Sequence, residues 1–303
     1  MKIVIAGGSG FLGRALSERL VAGGHQVLVL ARGRRPSTPW EGPRSTLAWT
    51  PDGTTGDWTQ ALEGADAVVN FAGEPIGNAR WTKARKAVIL DSRVRATCSL
   101  VAAIRELRNP PTVLVSSSAQ GYYGDRGDEE LTEEAAAGTD FLADVCVRWE
   151  AEARKAEGRA RVVTLRTGIV LSAQAGALPR MLLPFRLFGG GPFGSGRQFM
   201  SWIHIEDWVG IVVLALASSR VRGPVNLGSP VPVRNRDFAA ALGRALHRPS
   251  LLPAPGFALR LALGEMAQPL LLASTRMVPA QASVAGYRFV FQNAGEALGN
   301  LVG

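Results

Sequence analysis

The amino-acid sequence predicts an α/β fold in which a doubly wound parallel sheet is followed by a smaller C-terminal lobe. Short apolar, β-branched segments alternate with segments of helical period as far as residue 171, and this alternation is typical of a parallel sheet with helices on both faces. After residue 171 the composition of the sequence changes, and glycine and proline become frequent, as in residues 189–198. A chain of 303 residues is long enough for a large domain and a lobe.

The first 35 residues predict a strand, a glycine turn, a helix and a second strand. Residues 2–6 suit a strand that is buried on both faces. The three glycines that follow would allow a tight turn, close approach of the backbone to a pyrophosphate, and close packing of helix on strand. The helix would offer its positive end and its unpaired N–H groups to the phosphates. These residues therefore predict a dinucleotide site at Gly7, Ser9, Gly10, Phe11, Leu12 and Gly13.

Basic residues follow the second predicted strand, which is residues 26–30. A chain that selects NAD usually has Asp or Glu at this point to bind the ribose hydroxyls, whereas this chain has Arg32, Arg34 and Arg35. A guanidinium group binds phosphate with a planar fork and keeps its charge. We therefore predict NADP(H) as the cofactor, with Arg32 and Arg34 at its 2′-phosphate. The alternative is a solvated basic turn in an Arg-rich chain.

The next segments bring more residues to the same edge of the sheet. An edge strand at residues 46–50 and a short helix at 58–62 precede a buried strand at 65–72. That strand ends in Phe71, Ala72 and Gly73, which should lie beside the cofactor because ligands of doubly wound sheets bind beyond the carboxyl ends of the strands. Residues 81–106 have helical period and form one helix or two.

A cluster of hydroxyl groups follows the strand predicted at residues 112–116. Ser118, Tyr122 and Tyr123 stand at its carboxyl end, so we expect them to face the same crevice as the glycine turn. They are the predicted catalytic residues. The alternative is that the serines and glycines merely end the strand and that the tyrosines pack under a loop.

The remaining segments complete the predicted architecture. A polar loop at residues 125–140 could cover the crevice, a helix follows at 141–157, and a strand at 161–165 leads to Gly168 and Ile169, which we count among the cofactor residues. Residues 200–229 should complete the sheet, with 202–205 returning to it, a helix at 207–217 and a strand at 224–227. Helices at 236–246 and 258–263 and a strand at 287–291 form the tail. The predicted domains are residues 1–171, which bind the dinucleotide, and residues 172–303, mainly a substrate lobe.

Composition narrows the function classes. The net charge is +9, but 30 of the 34 basic residues are Arg and they are scattered, so acidic ligands such as phosphates are favoured over nucleic acid. Cys98 and Cys146 lack metal-ligand spacing and predict buried thiols in a reducing compartment. We see no signal peptide and no apolar run of membrane-spanning length, so we expect a cytoplasmic protein with a small-molecule substrate and no metal. An oligomer is possible.

Several motifs together resemble the extended short-chain dehydrogenase/reductase superfamily, and within it the atypical branch labelled epimerase family protein. The motifs are GGSGFLG at residues 7–13, NFAGEPI at 70–76, SRVRAT at 92–97, RTGIVL at 166–171 and GSGRQFMSWIHIED at 194–207. The resemblance covers essentially the whole chain. It implies a Rossmann-type domain, NADP(H) binding and a small C-terminal domain, and it leaves the reaction open.

The chain departs from this superfamily at the residues that transfer a proton. The superfamily carries a Tyr and, after three residues, a Lys on one helix, and the Lys lowers the pKa of the Tyr. Counted from Glu150, Leu142 stands at the Tyr position and Cys146 at the Lys position. Tyr122 or Tyr123 could supply another acid, although an unassisted phenol titrates near pH 10. The leading prediction is an oxidoreductase or epimerase of a small polar substrate, and the alternative is a non-catalytic NADP(H)-binding regulator or redox sensor.

Three more positions bear on the ligands. Arg93 replaces an Asn of the related enzymes, so a cation there could reach the cofactor diphosphate or ribose, or it could be a solvated helix charge. Met200 falls where nucleotide-sugar enzymes carry an Arg, which puts a nucleotide-sugar substrate in doubt. His204 could be a pocket base, but a structural role is favoured. Ser118 matches the superfamily's active-site hydroxyl when aligned from the strand, and Ala119 does when aligned from Tyr123.

Overall fold

The computed structural model describes residues 1–33 and 39–303. Its strands and helices follow in chain order: β1 (Lys2–Ala6), α1 (Phe11–Ala22), β2 (Gln26–Ala31), β3 (Arg44–Ala48), β4 (Ala67–Asn70), α2 (Lys83–Glu106), β5 (Val113–Ala119), β6 (Glu130–Leu131), α3 (Phe141–Arg154), β7 (Arg161–Thr167), β8 (Ile169–Leu171), α4 (Leu178–Arg186), β9 (Phe199–Met200), β10 (Trp202–His204), α5 (Ile205–Ala217), β11 (Gly223–Leu227), β12 (Val233–Arg234), α6 (Asn235–Leu246), α7 (Gly256–Leu263), β13 (Arg276–Met277), α8 (Ala280–Val284) and α9 (Ala294–Val302). A 3₁₀ helix precedes β4 at Asp57–Leu62, and a 3₁₀ turn follows β5 at Gln120–Tyr122.

Seven parallel strands form the main sheet in the order β11-β7-β5-β4-β1-β2-β3. The chain runs from β1 outward through β2 and β3, and then from β4 outward in the other direction. The strand order therefore reverses between β1 and β4, and in such sheets a ligand binds in the crevice beyond the carboxyl ends at this point. The predicted doubly wound parallel sheet with a smaller C-terminal region is confirmed.

Successive residues of β1 point to opposite faces of the sheet, and both faces are covered. Ile3 and Ile5 pack with Leu16 of α1 in one cluster, whereas Val4 packs with Leu100 of α2 in another. All five of these side chains are fully buried. Burial of both faces explains why this strand is an unbroken apolar run rather than an alternating one. The long helical segment after β4 is one helix, α2, which begins at Lys83. The hydroxyl of the preceding residue, Thr82, caps it by accepting the Arg85 N–H.

The prediction that residues 202–205 return to the main sheet is wrong. β10 pairs with β8 in a separate two-stranded sheet, with Trp202 opposite Ile169. The separation begins at Gly168, whose N–H donates to the Leu227 carbonyl and whose added Cβ would lie 2.6 Å from the Ser201 carbonyl oxygen. The chain therefore leaves the main sheet after β7, and β11 takes the edge position instead.

The expected strand at residues 287–291 is also not formed. The N–H groups of Val290 and Phe291 donate to the two carboxylate oxygens of Asp207, at 2.8 and 2.9 Å, and the Tyr287 hydroxyl donates to the same side chain. A fully buried carboxylate thus accepts the hydrogen bonds that a neighbouring strand would accept.

The C-terminal region has its own core, formed by α4, α6 and α9 around Leu182, Phe238 and Leu298. The pairing of β13 with β6 connects it to the loop after β5, whereas β12 pairs with β9 within the region itself. Within residues 1–33 and 39–303, no helix is long and apolar enough to cross a membrane.

Candidate functional site

The glycine turn after β1 is packed so tightly that two of its glycines admit no side chain. Gly7 has a φ of +78°, and a Cβ there would lie 2.7 Å from the carbonyl carbon of Phe71. A Cβ on Gly13 would lie 2.5 Å from the Cα of Gly8. At Gly10 an added Cβ would approach only the Gly7 oxygen, at 3.3 Å. The turn therefore needs Gly7 and Gly13 for its own packing and leaves room above Gly10.

Helix α1 begins at this turn without a side-chain cap. Gly10 is the N-cap, and its carbonyl accepts the first helical hydrogen bond, from the Arg14 N–H. The N–H groups of the first turn have no acceptor within the helix, and no acidic residue lies in that turn. Ser9 and Gly10 are exposed at the turn. The arrangement can bind an anion through backbone N–H groups and the helix dipole.

A cleft of about 300 Å³ lies between this turn, the carboxyl ends of β4 and β5, and helix α3. It brings together many of the residues predicted from the sequence. The lining residues that were predicted to bind the cofactor or to take part in catalysis are Gly7, Gly10, Phe11, Leu12, Gly13, Phe71, Arg93 and Ser118. The cleft therefore joins the predicted dinucleotide turn to the predicted reaction edge.

Other predicted cofactor residues lie near the cleft without lining it. Ala72 and Gly73 continue the chain past Phe71, and the Ala72 N–H donates to the Asn70 side chain. Arg32 is exposed directly after β2, beside the turn in which the Gly7 N–H donates to the Leu30 carbonyl. Arg34 and Arg35 lie outside the described residues.

Gly168 and Ile169 lie at the other end of the site. Gly168 separates β7 from β8, and Ile169 lines a second, smaller cavity rather than the cleft. Thr167, which precedes them, does line the cleft.

Arg93 is the one charged residue among those that line the cleft, within the part of the chain that the structure describes. Its guanidinium lies 5.2 Å from the centre of the Trp149 ring and donates to the Glu74 and Ile89 carbonyls, each at 2.9 Å. The Glu74 carboxylate instead pairs with Arg85 at 3.1 Å. Burial lowers the pKa of Arg93 below its ordinary value. A desolvated cation that faces a cleft without a carboxylate partner favours an anionic ligand.

Helix α3 presents an uncharged face to the cleft. Leu142, Val145, Cys146 and Trp149 line it, at the spacing of one helix face. The positions that carry Tyr and Lys in the superfamily therefore face the cleft here, but with an isobutyl group and a thiol. Burial raises the pKa of Cys146 to about 11, so the thiol is neutral near pH 7. This helix face offers no acid or base that titrates near neutrality.

Ser118 lines the cleft, but its hydroxyl proton is already engaged. Its Oγ donates to Oε1 of Glu150 at 2.7 Å. Glu150 is held in turn by a two-point pair with Arg166, at 2.9 and 3.0 Å, and both charged side chains are buried. Burial alone would lower the pKa of Arg166, but the Glu150 carboxylate beside it raises this pKa above its ordinary value. Because its single proton points at Glu150, Ser118 can offer a ligand only an acceptor.

The two tyrosines after β5 lie away from the lining of the cleft. Tyr123 is fully buried, and its hydroxyl donates to Oδ1 of Asn226 at 2.6 Å and accepts from Arg166 at 3.1 Å. Burial raises the pKa of Tyr123 to about 12. Tyr122 is half-buried beneath Arg166, whose guanidinium carbon lies 3.4 Å from the ring centre. This is the arrangement expected if the tyrosines pack under a loop, and their catalytic role stays a prediction.

Ser117 was not predicted from the sequence, yet it is the cleft hydroxyl whose proton remains available. It is half-buried and lines the cleft, and among the described residues it has no hydrogen-bond partner through its side chain. The other two hydroxyls of the lining differ: Ser118 donates to Glu150, and Thr167 donates to the Leu165 carbonyl at 3.3 Å. The strand was expected to end at residue 116, but β5 continues to Ala119. That extension carries Ser117 and Ser118 into the site.

His204 and Met200 have structural contacts. Nδ1 of His204 accepts the Glu206 N–H and so caps α5, and the ring lies 3.9 Å from that of Phe291. Met200 is buried, and its sulfur accepts from the Asn235 amide at 2.9 Å. Neither lines the cleft. Across the described ranges, no group of three His, Cys, Asp or Glu side chains could hold a metal ion.

Family models match two parts of the chain. Residues 3–228 match the NAD dependent epimerase/dehydratase family, and residues 254–301 match a domain of unknown function. An epimerase family protein of Mycobacterium bovis is 43% identical over 298 residues, covering 98% of this chain and 96% of that protein. An epimerase family protein of Arabidopsis thaliana, described as chloroplastic, is 38% identical and covers 98% of this chain and 86% of that protein.

Two solved structures share the fold of this chain. The crystal structure of the human epimerase family protein SDR39U1 with NADPH has a TM-score of 0.90 and 35% identity, covering 100% of this chain and 99% of that chain. The UDP-glucuronic acid 4-epimerase of Bacillus cereus has a TM-score of 0.79 at 15% identity, covering 100% of this chain and 98% of that chain, a likeness of fold alone.

Proposed function

Because the chain belongs to the NAD dependent epimerase/dehydratase family, we propose that it is an NADP(H)-dependent oxidoreductase or epimerase that acts on a small molecule. One observation carries this proposal: the cleft of about 300 Å³ runs from the uncapped start of α1 to the hydroxyls at the end of β5. A dinucleotide laid along it would place its diphosphate at the helix and its nicotinamide near Ser117 and Ser118.

The charges of the site support a phosphorylated cofactor. The diphosphate would meet the first turn of α1 and the half-buried cation of Arg93. The 2′-phosphate would lie near Arg32, which follows β2 where NAD-selective proteins carry a carboxylate. The relative of known structure that was crystallised with NADPH has the same fold over its whole length, which supports NADP(H) as the ligand here.

The nicotinamide supplies or accepts hydride when the cofactor is bound. Around the nicotinamide, this chain would position the substrate with two serines, one of which donates a hydrogen bond and the other of which accepts one. Ser117 has a free proton to donate to a substrate oxygen, whereas Ser118 accepts, because its own proton is held by Glu150. Leu142 and Cys146 leave the usual proton-transfer pair unfilled, so Ser117 would hydrogen-bond the substrate oxygen while water supplies or takes up the proton.

The uncharged face of α3 favours a second function, a regulator that binds NADP(H) without turnover. Leu142 and Cys146 face the cleft where the superfamily transfers protons. The raised pKa of Cys146, about 11, argues against a thiolate redox sensor.

Deuterated NADPH separates the two functions. NADPH labelled at C4 on one face and then on the other is incubated with the protein and a metabolite pool, and loss of label is followed by mass spectrometry. Stereospecific loss that Ser117→Ala reduces, with Ser283→Ala, a serine of α8 outside the cleft, as the matched control, supports the enzyme. Binding of NADPH with no loss of label from either face excludes a reductase, and an epimerase, which returns the same hydride to its substrate, is excluded if no metabolite changes configuration with NADP+ bound. Both negative results together support the regulator, and failure of NADPH to raise the melting temperature would refute both functions.

A further inference from the structure

Two small cavities adjoin the cofactor cleft on the side of the C-terminal region. One, of about 20 Å³, lies between the turn after β5, the start of β8, and residues 269–275. The other, of about 60 Å³, lies between α4, α6 and residues 189–193. They share three lining side chains, Met181, Phe193 and Met200. We therefore treat them as one divided cavity, the lobe cavity.

The lobe cavity lies directly behind the reaction edge of the cleft. Ala119 and Gly121 line the cleft, whereas Gln120 between them lines the lobe cavity. The same alternation occurs at the end of the neighbouring strand β7, where Thr167, the pairing partner of Ala119, lines the cleft and Ile169 lines the lobe cavity. Residues of this 3₁₀ turn and its flanks therefore line both spaces.

Gln120 supplies an unsatisfied acceptor in this cavity. Its Oε1 is buried and has no hydrogen-bond partner among the described residues. A buried acceptor is most stable when it is hydrogen-bonded, so a hydrogen-bond donor on a ligand would find a partner here that the protein does not already occupy. Apart from Gln120, Thr275 and Asn235, the side chains around the lobe cavity are apolar. Thr275 donates to the Gly124 carbonyl, and the Asn235 amide donates to the Met200 sulfur.

Two cations that lie against a lining ring of the cavity have other partners. Arg234 and Arg276 lie over the ring of Phe199, at 4.4 and 5.3 Å. Arg234 pairs with Asp128 at 2.9 Å, and Arg276 pairs with Glu130 at 3.2 Å. An anionic group entering here would have to displace a carboxylate from one of these pairs, whereas an uncharged group would not.

We propose that the lobe cavity is the substrate subsite and that it takes an uncharged group with a short apolar body and one hydrogen-bond donor, the body against Met181, Phe193 and Met200 and the donor on Oε1 of Gln120. This inference rests on the proposed function for its connection to the reaction, and it replaces the polar substrate expected from the sequence. An anionic nucleotide sugar is not a ligand of this cavity.

The first test needs no substrate. In the free protein, Gln120→Met should leave the melting temperature unchanged or raise it by about 1–3 °C, because the variant removes an unpaired acceptor. The matched control is Asn226→Leu, which removes a buried amide with three hydrogen bonds in place and should lower the melting temperature. A lower melting temperature for Gln120→Met than for the wild type would assign the amide to the scaffold and overturn the proposal.

The second test uses three probes of one shape: isobutyramide, isobutyrate and isopropyl methyl ketone. Isobutyramide, which is neutral and carries a donor, should stabilise the protein most, and Gln120→Met should abolish its advantage over the ketone. A preference for isobutyrate, or equal effects of all three, would overturn the proposal. The probes are run with and without NADPH, so that a failure of NADPH to bind refutes the proposed function while the probe ranking still decides the nature of the cavity.

Discussion

Replacing Arg93 by Met should weaken NADPH binding because it removes the charged side chain of the cleft lining. The guanidinium is desolvated, and the nearby Glu74 carboxylate is engaged by Arg85. A hydrogen bond to a charged group contributes about 1.5–3 kcal/mol, which corresponds to roughly a 10- to 150-fold rise in Kd. Because the pair would be buried, added salt should change the difference between wild type and variant only slightly.

The assay is a titration of NADPH fluorescence, with two comparison variants. Arg95→Met removes an exposed cation from the same helix, so it reports the long-range effect of one charge and should change Kd little. Arg93→Lys keeps the charge but loses the planar fork, and it should give an intermediate Kd. If Arg93→Met binds NADPH as tightly as Arg95→Met does, the cation does not contact the cofactor and the reasoning is refuted.

Three further predictions concern Arg32, His204 and Tyr123. Arg32→Asp should raise the Kd for NADPH at least about tenfold and leave that for NADH nearly unchanged, since a carboxylate repels the 2′-phosphate; equal losses in parallel titrations would assign Arg32 to the scaffold. Burial lowers the pKa of His204, whose neutral Nδ1 accepts the Glu206 N–H. Below about pH 6.5 the unfolded chain therefore binds a proton at this histidine more readily than the folded chain does, and the free energy of unfolding falls as the pH falls. Urea unfolding from about pH 7.5 to 5.5 should show this fall in the free energy of unfolding, and the fall should be smaller in His204→Asn. An equal fall in the wild type and the variant would contradict the prediction. Tyr123→Phe should lower the free energy of unfolding by about 1–3 kcal/mol, because it leaves Asn226 without its donor, and keep the Kd for NADPH unchanged; a weaker affinity with normal stability would return Tyr123 to the site.

The dinucleotide end of the site could be predicted from the sequence because its signals are local. The spacing of Gly7, Gly10 and Gly13 between a strand and a helix determines where the helix begins. The absence of Tyr and Lys at Leu142 and Cys146 was visible for the same reason, since residues four apart lie on one helix face. The structure places both residues in the lining of the cleft.

The reaction end could not be predicted in the same way, because it depends on partners far away in the chain. Ser118 and Tyr123 are both hydroxyl residues beside the same strand end, and nothing local separates them from Ser117. Contacts with Glu150, 32 residues away from Ser118, and with Asn226, 103 residues away from Tyr123, engage their hydroxyls. Ser117 keeps its proton because no such partner reaches it among the described residues.

By itself, the sequence determined the parallel sheet, the glycine turn and the missing proton-transfer pair, since periodicity and spacing act over a few residues. Only the tertiary structure decided, for the residues it describes, which cleft hydroxyl has no partner and that Arg93 lacks a carboxylate partner. The same structure decided that residues 287–291 bind Asp207 instead of forming a strand. It also decided that Gln120 lines a separate cavity behind the cleft. The physical reason is that burial and hydrogen bonding depend on groups that come from distant parts of the chain. A single polar atom makes only one or two hydrogen bonds, so its partner is known only when the chain is folded.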